Sequence, residues 1–554
     1  MKIEYANSLL LRKAFIGAAN YLEENKEDVN ALNVFPVPDG DTGTNMSLTV
    51  QSAMKQVLEL EEYNTISEVA MAASNGSLMG ARGNSGVILS QLFRGFASGL
   101  KDKEKANTID LAESFKQAAD MAYKAVMKPT EGTILTVARE CAEYALDLAK
   151  REKDIIVFMS KVIEHGNESL NNTPNLLPVL KQAGVVDAGG KGLIVILTGA
   201  FRALTNKGEI EYLGLTASKK KDTHQVHKDE LETSDIKFGY CTEFIINNTN
   251  EDVEKFREEL ALYGDSLMVV GGDSLIKVHV HTNNPGLVLE KALSVGELND
   301  IKIDNMRIQH RNLLIQEEEY NETNNNVINI DSKKETKKYS FITVSMGEGI
   351  SKVFKDLGVD YVIPGGQTMN PSTEDILDAV EKVNGENIII FPNNGNIVLA
   401  ANQAKEMSER NIHVFPSKTI AEGIVALLHF NFEDNIEENL ETMEEAVEHV
   451  KTGQVTYAVR DTEIDGIKIK KDNIIGICEG DIKAIGEDIQ DVSLELIKKV
   501  ADEETELITI FYGENIDEEK ANILRELLEE EFGDCDIEVV YGGQPLYYYI
   551  FSIE

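Results

Sequence analysis

Apolar residues recur at three- and four-residue spacing through the first 205 residues of the chain. This is the spacing of helices that bury one face. It predicts helices over residues 8–23, 46–60, 109–127, 133–150, 154–165 and 190–204. Glycine-rich connectors lie between them, at residues 36–43, 80–86, 129–132 and 184–192. The pattern predicts an all-helical domain whose glycine-rich loops meet at one end of the bundle.

The pattern changes after a polar stretch that ends near residue 235. Strands and helices then follow in the order strand-helix-strand-strand-helix-strand, which is the order of a ferredoxin-like unit. Beyond a second polar stretch, strands alternate with helices, as is typical of a parallel sheet with helices on both faces. We therefore predict a helical domain over 1–210, a linker over 211–235, a ferredoxin-like α+β domain over 236–315, a linker over 316–338 and an α/β domain over 339–554.

The charge balance narrows the classes of partner. Lys and Arg total 54 against 95 Asp and Glu, a formal net charge of −41. Such a surface repels nucleic acids and anionic lipids, because both bind through basic side chains. The chain shows no apolar run of the roughly 20 residues that span a bilayer and no secretory signal, so we expect a cytoplasmic protein. Its four scattered cysteines do not suggest a disulfide framework.

Two aspartates in the first glycine-rich loop, Asp39 and Asp41, are candidate magnesium ligands. They flank Gly40, and two prolines precede them. Carboxylates this close repel each other unless a cation lies between them. Mg²⁺ in nucleotide sites typically takes one or two carboxylates together with phosphate oxygens. An acidic turn in which aspartate caps a helix is the alternative.

The other glycine-rich loops are candidate phosphate- or nucleotide-binding segments. Residues 80–86 open a helix, whose first N–H groups favour a phosphate, and Arg82 could stabilise charge during phosphoryl transfer. Residues 184–192 do not form a P-loop, because Gly192 replaces the required Ser or Thr. Residues 128–133 could form a further wall of the pocket. The candidate nucleotide-binding residues of these loops are Asn84, Ser85, Gly86, Thr133, Asp187 and Gly189.

A separate candidate metal site lies in the predicted ferredoxin-like domain. His279 and His281 are two residues apart on a predicted strand and so face the same side. Cys241 precedes the first strand of the same unit. One cysteine and two histidines suit Zn²⁺, whereas ordinary positions in a sheet are the alternative.

These segments resemble a known family of kinases. Residues 38–46, 80–86 and 186–192 resemble the nucleotide-binding L subunit of dihydroxyacetone kinases, a barrel of helices whose loops hold ATP. The whole chain, in this domain order, resembles the catalytic subunit of bacterial fatty acid kinases. Residues 364–372 resemble DegV-like proteins that carry fatty acids.

The resemblance implies ATP-dependent phosphorylation of a fatty acid carboxylate, which a separate acyl-binding protein presents, to give acyl phosphate and ADP. It implies Mg²⁺ at Asp39 and Asp41, with Thr42, Thr44 and Asn45 as nearby polar groups. It raises the expectation of zinc at the Cys/His/His site, and we expect the DegV-like domain to dock the carrier.

Several alternatives and one departure remain at this stage. Dihydroxyacetone kinases use a third aspartate just upstream, where this chain has Val34. A kinase for dihydroxyacetone or another small polyol is the rival enzyme, and a non-catalytic nucleotide-binding regulator is the rival outside enzymes. We also expect a homodimer, formed through the exposed edges of the ferredoxin-like sheet.

Overall fold

The computed structural model of the chain describes residues 2–33, 40–60, 65–126, 128–206, 240–247, 253–260, 262–272, 275–305, 336–367, 369–464, 467–533 and 535–554. By contact density the chain divides into two compact units. One comprises residues 1–220 and 334–554, and the other comprises residues 221–333. Except for residues 336–338, the two predicted linkers lie outside the described residues.

The amino-terminal part folds into helices, as the sequence pattern predicts. They are α1 Ser8–Asn30, α2 Thr42–Leu58, α3 Ile66–Met79, α4 Gly83–Gly99, α5 Thr108–Ala125, α6 Ile134–Ala149, α7 Ile155–Leu176, α8 Pro178–Ala183 and α9 Ala188–Thr205. Their apolar faces share one core, which includes Leu22, Met46 and Phe158. Within the helices that the structure describes, none is long and apolar enough to cross a membrane.

The sequence pattern did not predict α3. This helix is rich in alanine, serine and glycine, which give a weak apolar periodicity. Packing explains its place instead, because Ala70, Ala73 and Gly76 are buried. A Cβ on Gly76 would lie only 2.6 Å from the backbone oxygen of Ser52 in α2, so small residues allow the two helices to approach closely.

The smaller unit has the predicted order of elements. It contains β1 Tyr240–Asn247, α10 Val253–Leu260, β2 Gly264–Gly272, β3 Leu275–Thr282, α11 Pro285–Leu293 and β4 Glu297–Asn305. The strands pair in the order β2-β3-β1-β4, and every pairing is antiparallel. The ferredoxin-like prediction is therefore confirmed, while the homodimer through the sheet edges stays a prediction.

The α/β part begins with a parallel sheet, also as predicted. Its strands are β5 Lys337–Ser345, β6 Tyr361–Pro364, β7 Gly385–Phe391 and β8 Ile412–Val414, in the order β6-β5-β7-β8. The helices that follow and cover them are α12 Glu348–Asp356, α13 Thr373–Lys382, α14 Val398–Met407, α15 Ile420–Leu428 and α16 Ile436–Val447. Strand interiors such as Ile342 and Ile390 are fully buried, which fits a parallel sheet with covered faces.

A mixed sheet completes the chain. Its strands are β9 Lys451–Tyr457, β12 Ile474–Cys478, β13 Asp481–Gly486, β14 Leu507–Tyr512, β15 Asp536–Tyr541 and β16 Tyr549–Ile553, in the order β13-β12-β9-β16-β14-β15. The hairpin of β10 Thr462–Ile464 and β11 Ile467–Ile469 lies beside it in the sequence. The helices α17 Ile489–Val500 and α18 Glu518–Glu531 pack on this sheet.

The helical part and the α/β part share an interface within the larger unit. Ala81 and Val87, at the start of α4, belong to the same apolar cluster as Ile363 of β6. The backbone continues this contact, because Arg82 forms a β-bridge with Ser372. This interface brings the α/β part against the glycine-rich loops.

Candidate active site

The starts of α2, α4, α6 and α9 meet at one cavity of about 550 Å³. A helix start carries partial positive charge from its unpaired N–H groups, so several starts at one cavity favour an anionic ligand. Lys128 adds a cation to the lining. The sequence-predicted residues in the lining are Asp41, Thr42, Asn45, Asn84, Ser85, Thr133, Asp187 and Gly189.

The start of α2 is capped from α1. Asn30 Oδ1 accepts hydrogen bonds from the backbone N–H groups of Gly43, at 2.8 Å, and Thr44, at 3.2 Å. Asn30 Nδ2 donates to the hydroxyl of Thr44 at 3.0 Å. Aspartate often caps its own helix, but Asp41 at the N-cap position makes no such side-chain bond. The alternative interpretation of Asp41 as a helix cap is therefore not supported.

The starts of α6 and α9 are joined by Asp187. Its Oδ2 accepts a hydrogen bond from the backbone N–H of Gly190 at 2.6 Å, and the backbone N–H of Ile134 donates to the same carboxyl group. Burial raises the pKa of Asp187 to about 6, and these two hydrogen bonds offset only part of that rise. Asp187 therefore supplies an anion to two helix starts, as the alternative interpretation of a helix cap predicts.

The start of α4 has no comparable cap among the described residues. Arg82 at its N-cap position makes no side-chain capping bond, and Asn84 and Ser85 line the cavity directly. Gly83 has φ +59°, and a Cβ there would lie 2.6 Å from Asn45 Nδ2. Glycine is therefore required for this turn, which leaves the first N–H groups of α4 as the best phosphate-binding element of the cavity.

Three predicted residues have other surroundings. Arg82 contacts the α/β part: its Nη1 donates to the backbone oxygen of Asn370 at 2.8 Å, and its Nη2 lies 3.1 Å from Asp375 Oδ2. Thr44 is bound to Asn30. Gly86 serves close packing, since a Cβ there would lie 2.4 Å from Thr49 Oγ1. Their roles in ligand binding stay predictions, and Asp39 lies outside the described residues.

The α/β part supplies the opposite wall, which the sequence analysis missed. Asn396, Gln454, Gly480 and Tyr547 line the cavity, and Asn84 Nδ2 donates to Asn396 Oδ1 at 3.3 Å. The one sequence signal near this wall was the repeated tripeptide Gly-Gly-Gln at residues 542–544, which lies just before Tyr547.

The predicted zinc site lies in the smaller unit. In the backbone register, Cys241 pairs with His281 and Glu243 with His279. On the other side of β1, Cys241 pairs with Asp304. The side chains of Cys241, His279 and His281 lie outside the described ones. Among the side chains that are described, no group of three or more His, Cys, Asp or Glu could hold a metal ion.

Comparison with known proteins first gives the class of the chain. Residues 36–202, which contain the glycine-rich loops, match the DAK2 domain, a domain of the kinase type. Residues 237–313 match the middle domain of the FakA-like proteins, which are named after a fatty acid kinase, and residues 340–554 match the C-terminal domain of the same proteins.

Relatives of full length then give the family. Protein YloV of Bacillus subtilis (strain 168) is 44% identical over 561 residues, which cover 100% of each chain. An uncharacterized protein of Staphylococcus aureus (strain USA300) is 43% identical over 559 residues, with the same coverage. The chain belongs to the FakA-like family of fatty acid kinase proteins.

Solved structures resemble parts of the chain. A DegV family protein from Corynebacterium glutamicum matches with a TM-score of 0.30 and 16% identity, over 39% of this chain and 96% of that chain. The dihydroxyacetone kinase from C. freundii in complex with AMP-PNP and Mg²⁺ matches with a TM-score of 0.29 and 16% identity, over 37% of this chain and 35% of that chain.

Proposed function

We propose that the chain transfers the γ-phosphoryl group of ATP to the carboxylate of a fatty acid, giving acyl phosphate and ADP. The observation that supports this proposal is the convergence of helix starts and Asp41 on one cavity, in a chain of the FakA-like family. The uncapped start of α4, with Asn84 and Ser85, is suited to the phosphate chain. Lys128 offsets part of its negative charge.

The donors around Asp41 fit a magnesium ion. Carboxylate and amide oxygens are hard ligands of the kind that Mg²⁺ takes, and Asp41 and Asn45 both line the cavity. Asp41, together with Asp39 two residues earlier, would hold the ion. When bound, Mg²⁺ would neutralise charge on the phosphate oxygens.

The transfer needs no general base from the chain. A carboxylic acid ionises well below neutral pH, so the acceptor is already a nucleophile. One carboxylate oxygen forms a bond to the γ-phosphorus, the bond from that phosphorus to the β–γ bridging oxygen breaks, and ADP leaves with the electron pair. The residues of the cavity contribute position and countercharge.

A separate acyl-binding protein would deliver the acid. The acyl chain is apolar and poorly soluble in water, and a chain with a formal net charge of −41 is a poor match for anionic membranes. We assign the docking of this carrier to the α/β part, because residues 340–554 match the C-terminal domain of the FakA-like proteins.

We also propose that Cys241, His279 and His281 bind zinc. The supporting observation is the register that pairs Cys241 with His281, because directly opposed residues are the closest cross-strand neighbours in a sheet. Elemental analysis of the purified full chain tests this. We expect about one zinc ion per chain, lost in Cys241→Ser, and zinc content unchanged by that substitution would refute the assignment.

Carrier- and acid-dependent ADP release is the test of the main proposal. We expect the unaltered chain to release ADP only when a long-chain fatty acid and its carrier are both present. Asp41→Ala should reduce the rate by about 10³-fold or more, because it removes a charge at the phosphates. Asp28→Ala, at an exposed aspartate of α1, is the matched control and should leave the rate unchanged.

Two outcomes would replace the proposal. Turnover with dihydroxyacetone in the absence of carrier would establish the small-polyol kinase. Nucleotide binding without turnover on either acceptor would establish the regulator.

A further inference from the structure

We propose that the α/β part completes the cation site of the helical part, with Asn370 as the residue that positions Asp41. This inference rests on the proposed function, since it assigns a role at the same phosphoryl-transfer site. It makes that site a composite of two parts of the chain that lie far apart in sequence.

The first step is the state of Asp41. Because Asn30 occupies the N–H groups of Gly43 and Thr44, the carboxylate of Asp41 is not held by its own helix. Asn370 Nδ2 donates a hydrogen bond to Asp41 Oδ2 instead. A hydrogen bond to a charged acceptor is stronger than one between neutral groups, so this contact restricts the direction in which the carboxylate points.

The second step is that Asn370 itself is firmly held. The side chain is buried, with 1% of its surface exposed. Its backbone oxygen accepts from Arg82 Nη1 at 2.8 Å, and Arg82 also pairs with Asp375. The backbone N–H of Thr373 donates to the oxygen of Ala81 at 3.2 Å. The segment around Asn370 is therefore fixed to the residues that open α4.

The third step is the other end of the same amide. Asn370 Oδ1 is buried and has no hydrogen-bond partner among the described residues. A buried amide oxygen without a partner carries a free-energy cost. Since it belongs to the group that holds Asp41, a water molecule of a hydrated cation at Asp41 could satisfy it. The arrangement is expected where a cation is part of the complete site.

This arrangement gives Arg82 a role different from the predicted one. Arg82 joins the α4 start to the segment that carries Asn370, and so acts on Asp41 through another residue. Cation binding at Asp41 and docking of the α/β part are then coupled, and each should strengthen the other.

The magnesium dependence of nucleotide binding tests the proposal in the full chain. Gln403 is the matched control, because it is also a buried amide of the α/β part that contacts the helical part. Its Nε2 donates to the backbone oxygen of Leu78 at 2.6 Å. Both Asn370→Ala and Gln403→Ala remove one such contact, but only the first removes a contact to Asp41.

The measurement is the Mg²⁺ concentration at half-maximal binding of a fluorescent, non-hydrolysable ATP analogue. We expect Asn370→Ala to raise it about tenfold, the effect of losing one hydrogen bond to a charged group, and Gln403→Ala to change it less than twofold. Asn370→Ser, a smaller polar replacement too short to reach Asp41, should shift it in the same direction. Circular dichroism selects a temperature at which every variant is folded.

An unchanged Mg²⁺ requirement in Asn370→Ala, or an equal shift in Gln403→Ala, would overturn the proposal. The assay uses neither fatty acid nor carrier. A chain that shows the expected shift but no acid-dependent ADP release would therefore contradict the proposed acceptor alone.

Discussion

The two walls of the cavity are built in different ways. The helical wall presents backbone N–H groups at the starts of α2, α4, α6 and α9, together with the carboxylates of Asp41 and Asp187. The α/β wall presents side chains such as Asn396, Gln454 and Tyr547. The first wall carries the charges and dipoles that suit phosphate and metal, whereas the second carries neutral hydrogen-bonding groups. This difference suggests that the helical wall binds the ligand and the α/β wall positions and encloses it.

The clearest way to test this comparison is to disturb the turn that opens α4. Gly83→Ala places a side chain at a residue with φ +59° and against Asn45 Nδ2. The left-handed conformation costs alanine about 1–2 kcal/mol, and displacing the buried Asn45 adds about 1–3 kcal/mol. We expect nucleotide affinity to fall by about tenfold or more, and the free energy of unfolding to fall as well, as measured by ligand titration and urea denaturation.

Gly184→Ala is the matched control for that substitution. Gly184 also has a left-handed conformation, with φ +66°, but no described atom lies within 4 Å of the position that a Cβ would occupy there. It should show the cost of the left-handed conformation without loss of nucleotide affinity. Equal losses of affinity in both variants would mean that the α4 start has no special role in binding.

The same contrast explains what the sequence could predict. Asp41, Asn84, Ser85 and Asp187 each lie at the start of a helix beside glycine residues, so their chemistry and their local conformation are visible together. The strand order of the ferredoxin-like sheet was also accessible, because alternation of apolar residues is local. In both cases, nearby residues determine the structure.

The α/β wall depended on contacts that no local pattern contains. Asn370 lies within the segment quoted for its resemblance to DegV-like proteins, yet its contact with Asp41 spans 329 positions of the chain. Similarly, nothing near Arg82 in the sequence indicates its pairing with Asp375. Such contacts arise from the docking of two folded parts, whose mutual orientation a single sequence does not reveal.

A smaller effect is expected from the charge of Asp187, in the helical wall. Its pKa in the folded chain, about 6, lies above the ordinary value of 3.8. The folded state therefore binds more protons than the unfolded state between about pH 4 and 6, and stability falls as pH rises through this window. Asp187→Asn keeps an oxygen acceptor without the charge. We expect it to match the unaltered chain near pH 4 and to be on the order of 1–3 kcal/mol more stable at pH 7.

Asp517, the N-cap of α18, provides a contrast of opposite sign. The hydrogen bond from the backbone N–H of Lys520 lowers the pKa of this exposed carboxyl group. Asp517→Asn should therefore lose stability at neutral pH relative to the unaltered chain, and regain it as the pH falls. Denaturant unfolding across the pH range measures both. A difference for Asp187→Asn that does not vary between pH 4 and 7 would refute the assignment of its charge state.

The smallest effect should come from the α/β wall at Asn396. Its Oδ1 accepts from Asn84 Nδ2 at 3.3 Å, in an exposed contact, and such a bond contributes about 1 kcal/mol or less. Asn396→Ala should therefore weaken nucleotide binding by no more than about fivefold. Asn411→Ala removes a comparable exposed amide contact, to Asn387 at 2.7 Å, and should leave binding unchanged. If Asn396→Ala abolished binding in a titration, the α/β wall would hold the nucleotide as directly as the helical wall does, and the division between the two walls would be wrong.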